Sequence, residues 1–187
     1  MDLFNYQPRR SHEVHIGNKP LGGQQPLRLQ SMTTTLTTDT EASVAQCIAI
    51  IEAGADYVRL TTQGVREAEN LRSIREALHR RGFDTPLVAD VHFNPKVADV
   101  AAGIVEKVRI NPGNYVDPAR TFKELEYTDE EYAAELARLE VRFVQLLDIC
   151  RAHGTAVRIG VNHGSLSDRI MCRYGDTPAG IVESCME

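Results

Sequence analysis

Val88-Ala-Asp-Val-His92, with Asn94-Pro95 just beyond it, is the stretch from which the fold of this chain is read. Residues two apart on a strand share a face, so Asp90 and His92 point one way while Ala89 and Val91 point the other. Asn94 then reads as a helix N-cap with Pro95 at the first helical position, and Val97, Val100, Ala101 and Ile104 supply an apolar helical face. The same arrangement recurs on both sides. Tyr57-Val-Arg-Leu-Thr61 sets Arg59 and Thr61 on one face, Val108-Arg-Ile-Asn111 does the same with Arg109 and Asn111, and Val157-Arg-Ile-Gly-Val-Asn162 with Arg158 and Asn162. Each polar pair stands at the downstream end of its strand, where a loop begins. That pattern predicts an α/β fold of the TIM-type (β/α) barrel class, with polar residues lining the carboxyl-end mouth where such folds keep their sites.

Working outward, five strand–helix units are expected. The strands are placed at 27–32, 57–62, 86–93, 107–111 and 156–162. The first helix opens on a capping box, Thr38-x-x-Glu41, and carries Val44, Ile48 and Ile51 on one face. The second runs from about Arg66 to Arg81. After Asn111-Pro-Gly-Asn114 and an acidic loop, a second capping box, Thr128-x-x-Glu131, opens a long helix to about His153. Tyr132, Leu136, Leu139, Phe143, Leu146 and Cys150 form its continuous apolar seam, a packing face or a contact for another domain. Before the first strand, residues 1–12 read as a loose leader and His15–Gly23 as a small hairpin capping one end of the domain. A polar stretch and one helical segment from about Pro178 follow the fifth strand.

Alternating strands and helices imply a parallel sheet with right-handed crossovers. A complete eight-stranded barrel takes roughly 200 residues or more, and 187 residues hold about five units. The chain, residues 13–187, is therefore expected to be the N-terminal part of a barrel, or a half that assembles with another part, because open first and fifth strands would leave unpaired edges. A formal charge of −5 argues against nucleic acid or an anionic membrane as the main partner. No apolar run is long enough for a bilayer span, and Met1 to His15 has no signal-type apolar stretch, so a cytoplasmic location is expected.

Arg59, Arg109 and Arg158 are the strongest chemical group. Guanidinium forks match phosphate oxygens bidentately, and three together can hold a diphosphate without a metal. Salt bridges within the barrel are the plainer explanation for any one of them, but three buried charges at strand ends call for a compensating anion. Asn111 and Asn162 can donate to phosphate or accept from a hydroxyl. Asp90 and His92 share a face and can do acid–base work or orient a hydroxyl, or Asp90 can simply anchor the arginines. Thr33 to Thr38 is a Thr-rich loop able to close over the mouth or merely to cap a helix. Four widely spaced cysteines (Cys47, Cys150, Cys172, Cys185) contain no Cys-x-x-Cys pair; Cys47 and Cys150 fall on apolar helix faces as core residues, and no metal site is expected.

Gln30-Ser-Met-Thr33, Gly54-Ala-Asp-Tyr-Val-Arg59, Leu87-Val-Ala-Asp-Val-His-Phe93, Arg109-Ile-Asn-Pro-Gly-Asn114 and Arg158-Ile-Gly-Val-Asn162 together resemble the bacterial and plastid hydroxymethylbutenyl diphosphate synthases of non-mevalonate isoprenoid biosynthesis. The resemblance implies an oxidoreductase that converts methylerythritol cyclodiphosphate to hydroxymethylbutenyl diphosphate by loss of water and gain of two electrons. It implies a barrel that binds the cyclic diphosphate, and a homodimer in which a separate C-terminal domain holds a [4Fe–4S] cluster on three Cys and one Glu, fed by ferredoxin or flavodoxin. By that likeness Arg59, Arg109 and Arg158 clamp the diphosphate, Asn111 and Asn162 assist, and Asp90 and His92 stand by the substrate hydroxyls. None of the four cysteines matches the cluster motif, so the chain is expected to bind no cluster and to be inactive alone. The long helix and acidic loop resemble the larger variant with an extra middle domain. Two other readings stand beside this one: a phosphate-binding barrel of the pterin-transferase (dihydropteroate synthase) type, and a non-catalytic half-barrel that binds a partner through the 129–153 helix.

Overall fold

A computed structural model describes residue 5 and residues 9–117 and 126–187. Most of the expected leader and the centre of the acidic loop lie outside the described residues. Five parallel strands, β1 (Gln30–Met32), β2 (Tyr57–Thr62), β3 (Leu87–Val91), β4 (Lys107–Ile110) and β5 (Ala156–Ile159), lie side by side in chain order. Between them run α1 (Thr40–Glu52), α2 (Val65–Arg80), α3 (Pro95–Ala102) and α4 (Asp129–His153), and α5 (Asp168–Tyr174) and α6 (Pro178–Met186) follow β5. The sheet is an open arc with β1 and β5 as its edges.

The period-two alternation sorts the strands into two faces. Val58, Leu60, Leu87, Ala89, Val91, Val108 and Ile110 are buried against the helices, where Val44, Cys47, Leu71, Ile74, Leu78, Val97, Ala101, Leu146 and Cys150 meet them in one core. The other face is concave and carries the polar residues. Helix boundaries follow local chemistry. Asn94 caps α3 through its side chain, with Pro95 at the first turn. Thr128 and Glu131 close the reciprocal capping box of α4, and Gly154 ends that helix at φ 69, a left-handed position that suits a residue without a Cβ. The expected seam of α4 packs inward, with Tyr132, Leu139, Leu146 and Cys150 buried and Leu136 and Phe143 partly so.

Several elements differ from expectation, β3 among them, which ends at Val91 so that His92 lies beyond it. The N-cap of α1 is Asp39, one residue past Thr38, because the Asp39 carboxylate accepts from the Ala42 N–H at 3.0 Å and a carboxylate is a strong cap. β1 shrinks to three residues: Leu27 is 95% exposed at an edge with no strand outside it. β5 stops at Ile159; the Gly160 N–H still reaches the Ile110 carbonyl, and the chain then turns away. The polar stretch after β5 contains α5, capped by Ser167 through the Ile170 N–H. The Thr-rich loop is tied down: the Gln46 side chain accepts from the Thr34 and Thr35 N–H groups, and Thr37 donates its hydroxyl to the Thr61 carbonyl at 2.6 Å.

The hairpin is reduced to one antiparallel bridge, Val14 to Leu21, and it does cap one end. It drives Ile16 among Tyr57, Val88 and Ala156 at the amino-terminal end of the sheet, and the Tyr57 hydroxyl donates to the Lys19 carbonyl at 2.6 Å. Ile16 is 1% exposed. Replacing it with Ala is expected to cost about 2–5 kcal/mol of stability. Urea denaturation reads this directly, and a loss below about 1 kcal/mol would mean that the bridge lies on the sheet without plugging it.

A candidate anion-binding site on the concave face

Register determines which side chains meet. Thr61 pairs with Asp90, Asp90 with Arg109, and Arg109 with Arg158, so these four form one row across the sheet toward its carboxyl end. One row deeper, Met32, Arg59, Val88, Lys107 and Ala156 stand side by side. The three arginines are thus not at equivalent strand ends. Arg59 starts a row below the other two and extends upward.

Asp90 organises both rows. One carboxylate oxygen takes the Arg59 guanidinium and the other accepts from Arg109 Nη1 at 3.1 Å. Asp90 itself is 1% exposed, so its charge is held among hydrogen bonds and away from water. Arg109 is secured further by Nη2 donating to the Gly160 carbonyl at 2.7 Å. Gly160 makes this possible: a Cβ there would lie 1.9 Å from Arg109 Nε, so the guanidinium crosses where only glycine leaves room. The anchoring role weighed for Asp90 is therefore present. Arg59 keeps a buried Nε without a partner, and Arg158 projects into the open with no acceptor among the described residues.

His92 lies 3.4 Å from Arg109 Nη1 and 3.9 Å from Asp90 through Nε2. Nε2 faces a guanidinium that only donates, and Nδ1 is buried with no partner. The next residue, Phe93, has φ 60, an unusual backbone for a large side chain, and it exposes its ring beside His92 at 5.8 Å between centroids.

The two asparagines meet through a serine. Asn111 Nδ2 donates to Ser165 Oγ at 2.6 Å while its oxygen caps the Gly113 N–H, and Ser165 Oγ donates to Asn162 Oδ1 at 2.7 Å. Asn111 thus fastens the loop after β4 to the loop after β5, and Asn162 turns its amide nitrogen to the open side. Sequence reading missed Ser165 as the link. It also missed Lys107, which shares the inward parity of Arg109 and Asn111 and was legible from that parity. Lys107 is 7% exposed, its ammonium lies 5.6 Å from the centre of the Tyr57 ring, and burial, with Arg158 and Arg59 nearby, lowers its pKa.

Four cations on this face thus share one carboxylate, which is the electrostatics of an anion site. No group of three His, Cys, Asp or Glu side chains among the described residues could hold a metal ion. Cys47 and Cys150 sit in the core, where burial pushes their thiols up to about 12 and about 11, while Cys172 and Cys185 are exposed.

The family model described as the GcpE TIM-barrel domain matches residues 11–187. Over 187 residues the chain is 70% identical to the 4-hydroxy-3-methylbut-2-en-1-yl diphosphate synthase (flavodoxin) of Phocaeicola vulgatus and 71% identical to that of Bacteroides fragilis, covering 100% of this chain and 30% of each relative. The protein of the same name from Protochlamydia amoebophila is 50% identical over 99% of this chain and 28% of its own length. The chain thus spans about 30% of the length of these curated relatives. Among solved structures, Burkholderia cenocepacia dihydropteroate synthase complexed with 7,8-dihydropteroate aligns at TM-score 0.47 and 18% identity, over 82% of this chain and 65% of that one, a likeness too slight to bear on fold or function.

Asp90→Asn keeps the shape and removes the charge between two arginines. It is expected to destabilise the protein by about 3–5 kcal/mol, since it leaves a buried guanidinium uncompensated. Chemical denaturation checks this, and a cost near zero would show that Asp90 does not hold the pair.

Proposed function

Because the chain belongs to the GcpE TIM-barrel domain family, we propose that it is the substrate-binding barrel portion of a 4-hydroxy-3-methylbut-2-enyl diphosphate synthase, whose substrate is methylerythritol cyclodiphosphate. The observation that carries this reading is the concave row in which Arg109 and Arg158 stand in register beside Asp90, with Arg59 reaching up to the same carboxylate. A cyclic diphosphate carries the negative charge this face lacks.

In this reading Arg158, uncommitted and outward, meets the diphosphate first. Arg59 contributes its free Nε, and Arg109 stays bound to Asp90 and Gly160 and presents a fixed positive edge. Asp90 keeps the guanidinium groups from drifting apart when no substrate is bound. His92 offers a ring nitrogen to a substrate hydroxyl, and Asn162 offers its amide nitrogen, steadied through Ser165 and Asn111. Thr61 completes the row at its other end.

Conversion of the cyclic diphosphate takes two electrons and two protons and releases water and the open-chain diphosphate. The cysteines here do not fit an iron–sulfur cluster: two are buried in the core with their thiols held protonated, and the other two form no metal-binding group with His, Asp or Glu among the described residues. We therefore assign the redox step, with a [4Fe–4S] cluster and flavodoxin or ferredoxin as donor, to a portion of the enzyme outside this chain, closing over the mouth within a homodimer. Uncovered apolar side chains at the β1 edge, Leu27 and Leu29, support the idea of a sheet that continues in a larger barrel.

Calorimetric titration with methylerythritol cyclodiphosphate tests the reading, with a dihydropterin diphosphate as the competing ligand. Binding of the cyclic compound alone is expected; preference for the pterin would overturn it. Arg158→Ala is expected to weaken binding about tenfold to a hundredfold with little change in stability, because the side chain is exposed and makes charge-assisted bonds only to ligand. Unchanged affinity would remove Arg158 from the site.

A further inference from the structure

We infer that Lys107 is a further ligand-holding cation of the concave site, a floor beneath the arginines that meets the anion from below. The inference rests on the reading of the site as a diphosphate cradle.

Lys107 sits in the row below Asp90–Arg109–Arg158, between Val88 and Ala156 and in the same row as Arg59. It is 7% exposed, and among the described residues no carboxylate lies within ion-pair distance of it. The one acid on this face is already used: both Asp90 oxygens are taken by Arg59 and Arg109. The neighbours that act on the ammonium are themselves cations, Arg158 and Arg59, and its visible compensation is the face of the Tyr57 ring. A ring face offsets only part of the cost of burying an ammonium. A second orphan lies in the same row, since Arg59 Nε is buried and also without an acceptor. A mostly buried lysine with no carboxylate beside it and a buried Arg59 Nε without an acceptor stand in one row, and with a third cation, Arg158, projecting above them they describe a cradle for an anion with several oxygens. A chemically plainer floor would have been apolar, as Val88 and Ala156 are on either side.

The geometry therefore assigns a division of labour. Arg158 and Arg109 hold the outer oxygens, and Lys107 with Arg59 Nε holds the inner ones. An anion with two linked phosphates fits both levels, whereas a single phosphate reaches one of them.

The test compares the protein with its K107M and K107R variants by calorimetric titration against methylerythritol cyclodiphosphate, inorganic diphosphate and inorganic phosphate, with melting temperatures recorded without ligand. Met matches the length of the stem and removes the charge. K107M is expected to bind both diphosphates about tenfold or more weakly, to lose little affinity for inorganic phosphate, and to melt at the same temperature or higher, because an uncompensated buried charge has gone. K107R is expected to recover most of the lost affinity. Diphosphate affinity in K107M within twofold of the parent overturns the inference while leaving the function proposal intact. A K107M protein that melts well below the parent also overturns it, since Lys107 would then be paired structurally, for instance by a carboxylate from another part of the barrel. If the parent protein binds neither diphosphate, the function proposal itself falls, and this inference with it.

Discussion

A buried carboxylate between two guanidinium groups is the interaction on which the concave face depends. Asp90 is placed by β3 and reaches Arg59 on β2 and Arg109 on β4, so one side chain ties three adjacent strands across their inner surface. Without it, four cations would share a low-dielectric surface with nothing between them, and mutual repulsion would splay the arc. With it, two of the cations are fixed in place and a surplus of positive charge remains. Arg59 and Arg109 are held in place before any ligand arrives, which lowers the ordering entropy that binding has to overcome.

The two ends of the strands do different jobs. At the amino-terminal end the bridge between Val14 and Leu21 seats Ile16 against Tyr57, Val88 and Ala156, mainly apolar burial fastened by the Tyr57 hydroxyl on the Lys19 carbonyl. At the carboxyl-terminal end the loops after β4 and β5 are joined by the chain Asn111–Ser165–Asn162 and by Arg109 passing over Gly160. Apolar packing lies at one end of the strands and the polar loops at the other. Lys107 marks the boundary: its row is apolar at Val88 and Ala156 and cationic at Lys107 and Arg59.

Much of this was legible in the sequence, for a reason of geometry. A period of two separates the core face from the inner face in any strand, so the sequence alone assigns Val58 and Leu60 to the core and Arg59 to the opposite face. What period cannot supply is stagger between strands. Arg59 looked equivalent to Arg109 and Arg158 because each follows a similar apolar residue, yet register sets it a row deeper. Lys107 was overlooked because attention fell on the ends of strands, while the same parity runs back to the start of β4. The cap of α1 moved by one residue because Thr38 and Asp39 are both competent caps, and choosing between them requires knowing where the preceding loop is tied. That loop is held by Gln46 and Thr61, contacts far apart in sequence. Ser165 carried no signal of its own; its importance appears only when two loops 54 residues apart come together.

Burial explains why the same fold that suits anion binding is a poor place for electron chemistry. Cys47 and Cys150 lie in the helix–sheet core, where desolvation holds the thiols protonated at any ordinary pH. A thiol becomes a metal ligand only as a thiolate, and thiolates form in electropositive, partly open surroundings. The electropositive surface of this chain is the concave face, and none of the four cysteines is among the residues of its two rows. The cations that would stabilise a thiolate stand apart from all four cysteines. If this face holds a diphosphate as proposed, any cluster acting on that ligand has to approach from the opposite side of the mouth. The outward reach of Arg158, with the open side of Asn162 beside it, is where the two halves of such a site would meet.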